Sequence, residues 1–381
     1  MRFIHTSDWH IGRQFHNVSL LDDQRHVLEQ IVTYIKHESV DAVVIAGDVY
    51  DRSVPSAQAV ELLDDVLNTI CSELNVPVVL IPGNHDGAER LRFASRQLKQ
   101  AGLHIIGELE QITHPVVIKG SACEVAFYGI PYNDPETVRS QFKIDIANHD
   151  DAHRYLLSRI SEVMSEQTVN VLLSHCYIDG AEASESERPL SIGGADRVNF
   201  EPFEVFDYVA LGHLHSPQHK AREHIRYSGS ILKYSFSEQY QKKGVTLVDL
   251  DEKGFKTTQF LPLKPLREVR IIEGELHTIL ENAKSDPGYE DYLLIRLTDR
   301  NALLDPMGKL RESYPNVLHL EKPGIFESRA QQLDREKLRH GELEMFRDFF
   351  KQAFGSELTP EQDQVISATI TELNKHERAA L

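Results

Sequence analysis

Asp8 and His10 stand either side of Trp9 just after a short apolar run, and the same kind of chemistry recurs four times along the chain. Gly47-Asp48, Gly83-Asn84-His85-Asp86, Ser174-His175 and Gly212-His213-Leu214-His215 each close an apolar, strand-like segment. Carboxylates, an amide carbonyl and imidazoles suit Mn²⁺, Fe²⁺ or Zn²⁺ and not soft copper(I). Asp8, His10, Asp48, Asn84, His175, His213 and His215 are too many for one ion. They fit two ions about 3.5–4 Å apart that share a bridging carboxylate. His213 and His215 would both reach them if the backbone there is extended, because alternate side chains of a strand point the same way. A lone histidine at a strand end is more often structural than a ligand. What lifts these is their order, each after its own apolar run. His16, His26, His104 and His219 carry no such motif and are given no role.

The elements that must position these groups are legible. Asp41-Ala42-Val43-Val44-Ile45-Ala46, Val76-Pro77-Val78-Val79-Leu80-Ile81, Val169-Asn170-Val171-Leu172-Leu173 and Tyr208-Val209-Ala210-Leu211 are nearly continuous in apolar character. That suits strands buried on both faces. Helical patterns lie between them, one with Val60, Leu63 and Leu67 on a face and one around 155–163. The class is α/β, in layers. Ligands of open α/β sheets gather at the carboxyl ends of the strands, so the motifs converge on one edge. Weaker strands are expected near 124–129, 225–228 and 244–250.

Two prolines in Leu261-Pro262-Leu263-Lys264-Pro265 mark a boundary. Beyond it the pattern reads strand 267–272, helix 275–283, strand 292–297, helix 307–313 and strand 317–320. The expected division is 1–262, a small α/β unit at 265–330, and a helical hairpin at 338–381. In the hairpin, Leu343, Phe346, Phe350 and Phe354 recur at helical spacing. Thr359-Pro360-Glu361-Gln362 opens a second helix, which carries Val365, Ile366, Ile370 and Leu373. So wide an apolar surface suggests a docking site.

Composition sets outer limits. The chain has 381 residues, 41% hydrophobic and 26% charged, enough for two or three domains with a core. No apolar run approaches the roughly 20 residues that span a bilayer. No leader precedes Phe3-Ile4-His5-Thr6, so the expected location is cytoplasmic, without membrane. The three cysteines (Cys71, Cys123, Cys176) are far apart, which argues against a disulfide framework or a thiolate site. A net charge of −18 is unlike a self-sufficient DNA binder. Bound metals and a partner subunit could supply the missing positive charge.

Taken together, Asp-x-His, Gly-Asp, Gly-Asn-His-Asp, His and Gly-His-x-His resemble the calcineurin-like metallophosphoesterase family over about 1–250. Longer stretches are similar to its SbcD family of exonuclease subunits. They are His5-Thr6-Ser7-Asp8-Trp9-His10-Ile11-Gly12, Leu190-Ser191-Ile192-Gly193-Gly194, 210–218 and 227–238. The resemblance implies a layered β-sandwich flanked by helices, a small α/β capping domain and the C-terminal hairpin. It implies that Asp8, His10, Asp48 and His215 hold one ion and that Asp48, Asn84, His175 and His213 hold the other, with Mn²⁺ expected. His85 would contact the phosphate and protonate the leaving oxygen, with Asp86 orienting its ring. Some relatives carry a histidine where this chain has Asp51-Arg52, which leaves roles there open.

The implied activity is exo- and endonucleolytic cleavage of DNA phosphodiesters in repair, recombination or replication, at ends or hairpins. The implied partners are DNA and an SbcC-type ATPase, in a 2:2 assembly around a nuclease dimer. Leu343, Phe346, Phe350, Phe354, Ile366 and Ile370 would dock on the partner's coiled coil. Two readings compete: a stand-alone phosphodiesterase or phosphatase on a small or protein substrate, and a scaffold without activity. The intact ligand set argues against the scaffold, and the regions beyond 262 argue against a minimal phosphatase.

Overall fold

A computed structural model of the chain describes residues 1–187, 196–299, 301, 303–322, 343, 346–347, 350–351 and 357–379. Among them, the strands in chain order begin with β1 (Arg2–Thr6), the small hairpin β2 (Gln14–Phe15) and β3 (Val18–Ser19), β4 (Ala42–Ala46), β5 (Val78–Ile81) and β6 (Leu103–Ile105). They continue with β7 (Val116–Lys119), β8 (Glu124–Ile130), β9 (Val169–His175), β10 (Tyr177–Ile178), β11 (Arg197–Val198) and β12 (Tyr208–Gly212). The remaining strands are β13 (Gln218–Lys220), β14 (Arg222–Tyr227), β15 (Gly244–Asp251), β16 (Gly254–Pro262), β17 (Val269–Gly274), β18 (Tyr292–Leu297) and β19 (Val317–Glu321).

Two six-stranded sheets dominate, in the orders β16-β15-β1-β4-β5-β6 and β13-β14-β12-β9-β8-β7. The period of two in side-chain direction decides their stacking. Ile4, Val43, Ile45, Val78 and Leu80 point to one face, where Val27, Leu28 and Ile31 of the helix Leu21–His37 cover them. Phe3, Val44, Val79 and Ile81 point to the other, where Phe127, Val171, Leu173, Tyr208 and Ala210 of the second sheet meet them. Leu172, Val209 and Leu211 then face Leu156, Leu157 and Ile160 of the helix His149–Ser161. The layers are helix, sheet, sheet, helix, as the near-continuous apolar runs imply for strands buried on both sides.

One helix face differs from its sequence reading. The helix Ala57–Asn68 buries Ala59, Leu62, Leu63 and Val66, while Val60 is 45% exposed. Ala59 is too small to stand out in a hydrophobic pattern, so the face drawn through Val60, Leu63 and Leu67 is rotated from the buried one.

β1, β4 and β5 run parallel, as do β9 and β12. Their carboxyl ends therefore lie at one edge of each sheet. Beyond the prolines, β17, β18 and β19 form a three-stranded sheet. Val269, Tyr292 and Leu294 pack into the same cluster as Ile4 and Val43. Tyr292 Oη and Arg267 Nη1 both donate to Oδ2 of Asp23, at 2.9 and 3.0 Å. Contacts accordingly group Met1–Ile272, His277–Ile295 and Asp305–Leu320 into one unit.

The second unit comprises Glu273–Leu276, Arg296–Leu304 and Glu321–Leu381. Within it the Leu276 amide donates to Asp299 at 2.9 Å, and Arg296 pairs with Glu321 at 2.7 Å. The helix Pro360–Ala379 opens on a reciprocal cap. The Gln362 amide donates to Thr359 Oγ1 at 3.3 Å, and the Thr359 amide donates to Gln362 Oε1 at 3.0 Å. Arg347 grips Asp363 with two hydrogen bonds of 2.6 Å. Leu343, Phe346, Phe350, Ile366 and Ile370 are half-buried. Phe354 and the 190–194 stretch lie outside the described residues.

Candidate metal centre

The ligand-type residues occupy the loops that leave β1, β4, β5 and β12, and the end of β9. The two sheets press together there. Gly212 is required because any Cβ at that position would run into the carbonyl oxygen of Ala46. Gly47 has φ +94° and faces the His175 ring. Asp8, His10 and Asp48 adopt φ of 52°, 46° and 50°, and His213 reaches 103°. Non-glycine residues avoid this region at a cost of about 1–3 kcal/mol each. This strain falls on four ligand-type residues, while eight other non-glycine residues among those described share the region. It also corrects the expectation for His213-Leu214-His215. The backbone is not extended there, and the turn at His213, with Leu214 wholly buried, brings both imidazoles to the site.

Asp48 sits at the middle. Its Oδ2 is 3.6 Å from His10 Nε2 on one side and 3.5 Å from His175 Nε2 on the other. His10 Nε2 faces His215 Nε2 at 3.1 Å. Two nitrogens held at right angles on one ion, each about 2.1 Å from it, would be about 3 Å apart. Asn84 Oδ1 lies 2.9 Å from His175 Nε2 and 3.3 Å from His213 Nδ1. Potential ligand atoms of Asp8, His10 and His215 lie within 4.8 Å of one another, as do those of Asp8, Asp48 and His175. The structure thus brings Asp8, His10, Asp48, Asn84, His175, His213 and His215 into one buried cluster.

Second contacts set the orientation of these groups. His175 Nδ1 donates to the Ala46 carbonyl at 2.9 Å, which presents Nε2 to the cluster. Asp8 accepts from the His213 amide at 3.1 Å and from Ser7 Oγ at 2.5 Å. The Asp48 Oδ1 accepts from the His85 amide at 2.8 Å. Gln24 Nε2 donates to the His10 carbonyl at 2.7 Å.

Burial would raise the Asp48 carboxyl, but the imidazoles of His175, His10 and His85 outweigh it and hold it well below the usual range. Burial opposes a proton on His175, yet the charges of Asp48 and Asp8 push that imidazole up to about 9. Burial pushes Asp8 up to about 6 against the pull of His175 and His215, and pushes His213 down to about 3. Positive charge is therefore favoured where the carboxylates converge. A divalent cation would meet that demand, displacing the proton. His10 Nδ1, a buried nitrogen with no hydrogen-bond partner among the described residues, belongs to the same cluster.

A further expectation changes. Asp86 does not orient the His85 ring. Its carboxylate accepts from the amides of Val49, Tyr50 and Gly83 at 3.1, 2.8 and 2.9 Å, tying the loop after β4 to the loop after β5. The carbonyl of Asp51 takes the His85 Nδ1 bond instead, at 2.9 Å. Asp51 also places Oδ1 3.7 Å from His10 Nδ1 and 2.9 Å from Arg13 Nη1. Arg52 is largely exposed and faces Asp51 at 3.8 Å. Sequence reasoning missed Gln24, Glu238 and Lys243, since none has ligand spacing, and left the role of Asp51 open. Glu238 closes the 227–238 stretch, the one available signal. Cys176 is buried, and its thiol is pushed up to about 12 by that burial, which removes it as a nucleophile at neutral pH.

The chain is similar to known proteins over most of its length. The family model of calcineurin-like phosphoesterases matches residues 1–217, and that of the Type 5 capsule protein repressor C-terminal domain matches 263–354. The SbcD subunit of the SbcCD nuclease of Staphylococcus epidermidis is 39% identical over 321 residues, 84% of this chain and 85% of that one. Among solved structures, TT1561 of Thermus thermophilus aligns over 69% of this chain and 99% of its own, with 13% identity and a TM-score of 0.40. A dimetal phosphatase from Danio rerio aligns over 70% and 99%, with 13% identity and a TM-score of 0.39. No helix among the described residues is long and apolar enough to cross a membrane.

Proposed function

The chain belongs to the calcineurin-like phosphoesterases, as a nuclease subunit of the SbcD type, and we propose that its cluster hydrolyses DNA phosphodiesters in company with an SbcC-type ATPase. The observation that carries this is the place of Asp48, with a ligand histidine 3.6 Å away on one side and 3.5 Å on the other. Asp8, His10, Asp48 and His215 would hold one ion, and Asp48, Asn84, His175 and His213 the other, with Mn²⁺ suited to this mixed oxygen and nitrogen set. Two such ions would supply a water of lowered pKa and neutralise charge on the phosphate.

The remaining work falls to the chain. His85, its ring held by the Nδ1 bond to the Asp51 carbonyl, would carry a proton to the departing sugar oxygen. Burial of the cluster excludes bulk water and strengthens each electrostatic contact. Arg13, held by Asp51 beside the site, is placed to attract an anionic substrate.

The regions beyond 262 extend the reading. The region at 265–330 would act as a cap that selects DNA, and 338–381 would bind the ATPase through Leu343, Phe346, Phe350, Phe354, Ile366 and Ile370. A 2:2 assembly with a nuclease dimer at its core is supported by an apolar surface around Val60 (45% exposed) and Phe93 (81% exposed). The alternative, a stand-alone phosphodiesterase or phosphatase, is separated by one assay. End-labelled duplex DNA and a small aryl phosphodiester are compared with Mn²⁺, with and without the ATPase. Partner-stimulated cutting of DNA is the expected result. Turnover of the small ester alone, indifferent to the partner, would favour the alternative.

A further inference from the structure

Glu238 and Lys243 form an ion pair at 2.6 Å that is almost wholly withdrawn from solvent. Burying such a pair costs several kcal/mol per ion in solvation, and apolar replacements of similar volume often fold as well or better. Stability alone is a weak reason for it. Its contacts supply another reason. Lys243 Nζ donates to the carbonyl oxygen of His215 at 2.8 Å, to Ser230 Oγ at 2.8 Å and to Gln241 Oε1 at 2.7 Å. Glu238 Oε1 lies 3.3 Å from His215 Nδ1. Ser186 Oγ lies 2.7 Å from the same nitrogen and donates to Glu238 as well. The pair therefore grips one residue twice, the ammonium at its backbone and the carboxylate at its ring.

We infer that Glu238, anchored by Lys243, is a positioning residue for His215. The carboxylate and Ser186 fix the proton on Nδ1. The lone pair then stays on Nε2, the atom that faces His10 Nε2 at 3.1 Å. Lys243 holds the His215 carbonyl together with the Ser230 amide, 3.1 Å away, while Glu187 accepts from the His215 amide at 2.7 Å. The inference rests on the two-ion reading above.

Calorimetric titration of the full, metal-free chain with Mn²⁺ alone tests both. The wild type should bind two ions, and failure to do so removes the two-ion reading and this inference with it. Glu238→Gln should weaken one binding event on the order of 10–100-fold and leave the other unchanged. In a His215→Ala background the same substitution should add nothing, because its effect passes through that ring. Glu238→Gln could also leave Lys243 buried and unpaired and so fail to fold. The paired variant Glu238→Gln/Lys243→Met removes both charges together, and it should fold and show the same single weakened event. Two ions bound at wild-type affinity by the paired variant, or an undiminished effect of Glu238→Gln in His215→Ala, would overturn the positioning role while leaving the two-ion reading intact.

Discussion

The His85 ring is hydrogen-bonded through Nδ1 to the backbone carbonyl of Asp51, 2.9 Å away. A carbonyl can only accept, so Nδ1 carries a hydrogen and Nε2 is the nitrogen that gains and loses the second proton. Its backbone amide meanwhile donates to Asp48 Oδ1 at 2.8 Å. The residue is thus fixed at the cluster by both its ring and its backbone. His85→Ala should cost about 10²–10⁴-fold in rate, the usual loss for a missing general acid. Metal content should stay near that of the wild type. Loss of metal in proportion to rate, measured by elemental analysis, would make the ring a ligand or a strut instead.

Asp48 is the residue whose removal should be felt at both ions. Asp48→Asn keeps the shape but replaces the charge that His10 and His175 share. Both Mn²⁺ binding events should weaken, and hydrolysis should vanish. If only one event moved, the bridging role would have to pass to another carboxylate.

Much of this is readable in the chain because burial on both faces leaves a continuous apolar run, and such a run ends abruptly where the backbone must turn to present a ligand. Ala42–Ala46 followed by Gly47-Asp48 shows both features. What cannot be read depends on tertiary contact. Asp86 resembles a partner for His85 because the two are adjacent, yet its carboxylate faces three amides of two loops. Glu238 reaches His215 across 23 residues, and no spacing rule links them. The face of the helix Ala57–Asn68 is misread from sequence because a buried alanine leaves almost no signature in a hydrophobic pattern.

His153 offers a test of stability against pH that is independent of the ions. Burial within the helix His149–Ser161 pushes its imidazole down to about 4. Nδ1 donates to the His149 carbonyl at 2.9 Å, and Nε2 is buried without a hydrogen-bond partner among the described residues. The unfolded chain takes up this proton near pH 6.5, so the stabilisation is present above that pH and is lost as pH falls through the folded value. Between pH 7 and 4.5 the wild type should lose about 2 kcal/mol more than His153→Leu. Urea midpoints in chelator would show this as diverging curves, and parallel curves would mean that His153 titrates normally.

The exposed apolar surface bears on assembly. Phe93 is 81% exposed, and Val60 lies in the same groove with Leu63, Leu67 and Leu98. Covering it with a second copy would bury a contiguous patch that monomers rarely leave in water. If this surface joins two copies, Phe93→Glu should shift the chain from dimer to monomer by sedimentation velocity while leaving aryl phosphodiester hydrolysis intact. A variant that sediments as the wild type does would remove this surface from the dimer.

The last expectation concerns the C-terminal segment. Arg347 and Asp363 are joined by two hydrogen bonds of 2.6 Å, which tie the stretch bearing Leu343, Phe346 and Phe350 to the helix bearing Ile366 and Ile370. Val365 on that helix is 64% exposed. An amphipathic helical segment of this kind binds most readily by laying its apolar side against a groove or a coiled coil. None of its described residues belongs to the ligand cluster. Truncation after Gly341 should therefore leave metal binding and small-ester hydrolysis in place while abolishing tight association with the SbcC-type ATPase. Partner-dependent digestion of duplex DNA should disappear with the complex. Arg347→Glu should weaken the same association without removing any apolar residue, because it breaks the tie to Asp363, and Asp363→Arg in the same chain should restore it. Undiminished co-purification of the truncated chain with the ATPase would show that the docking surface lies elsewhere.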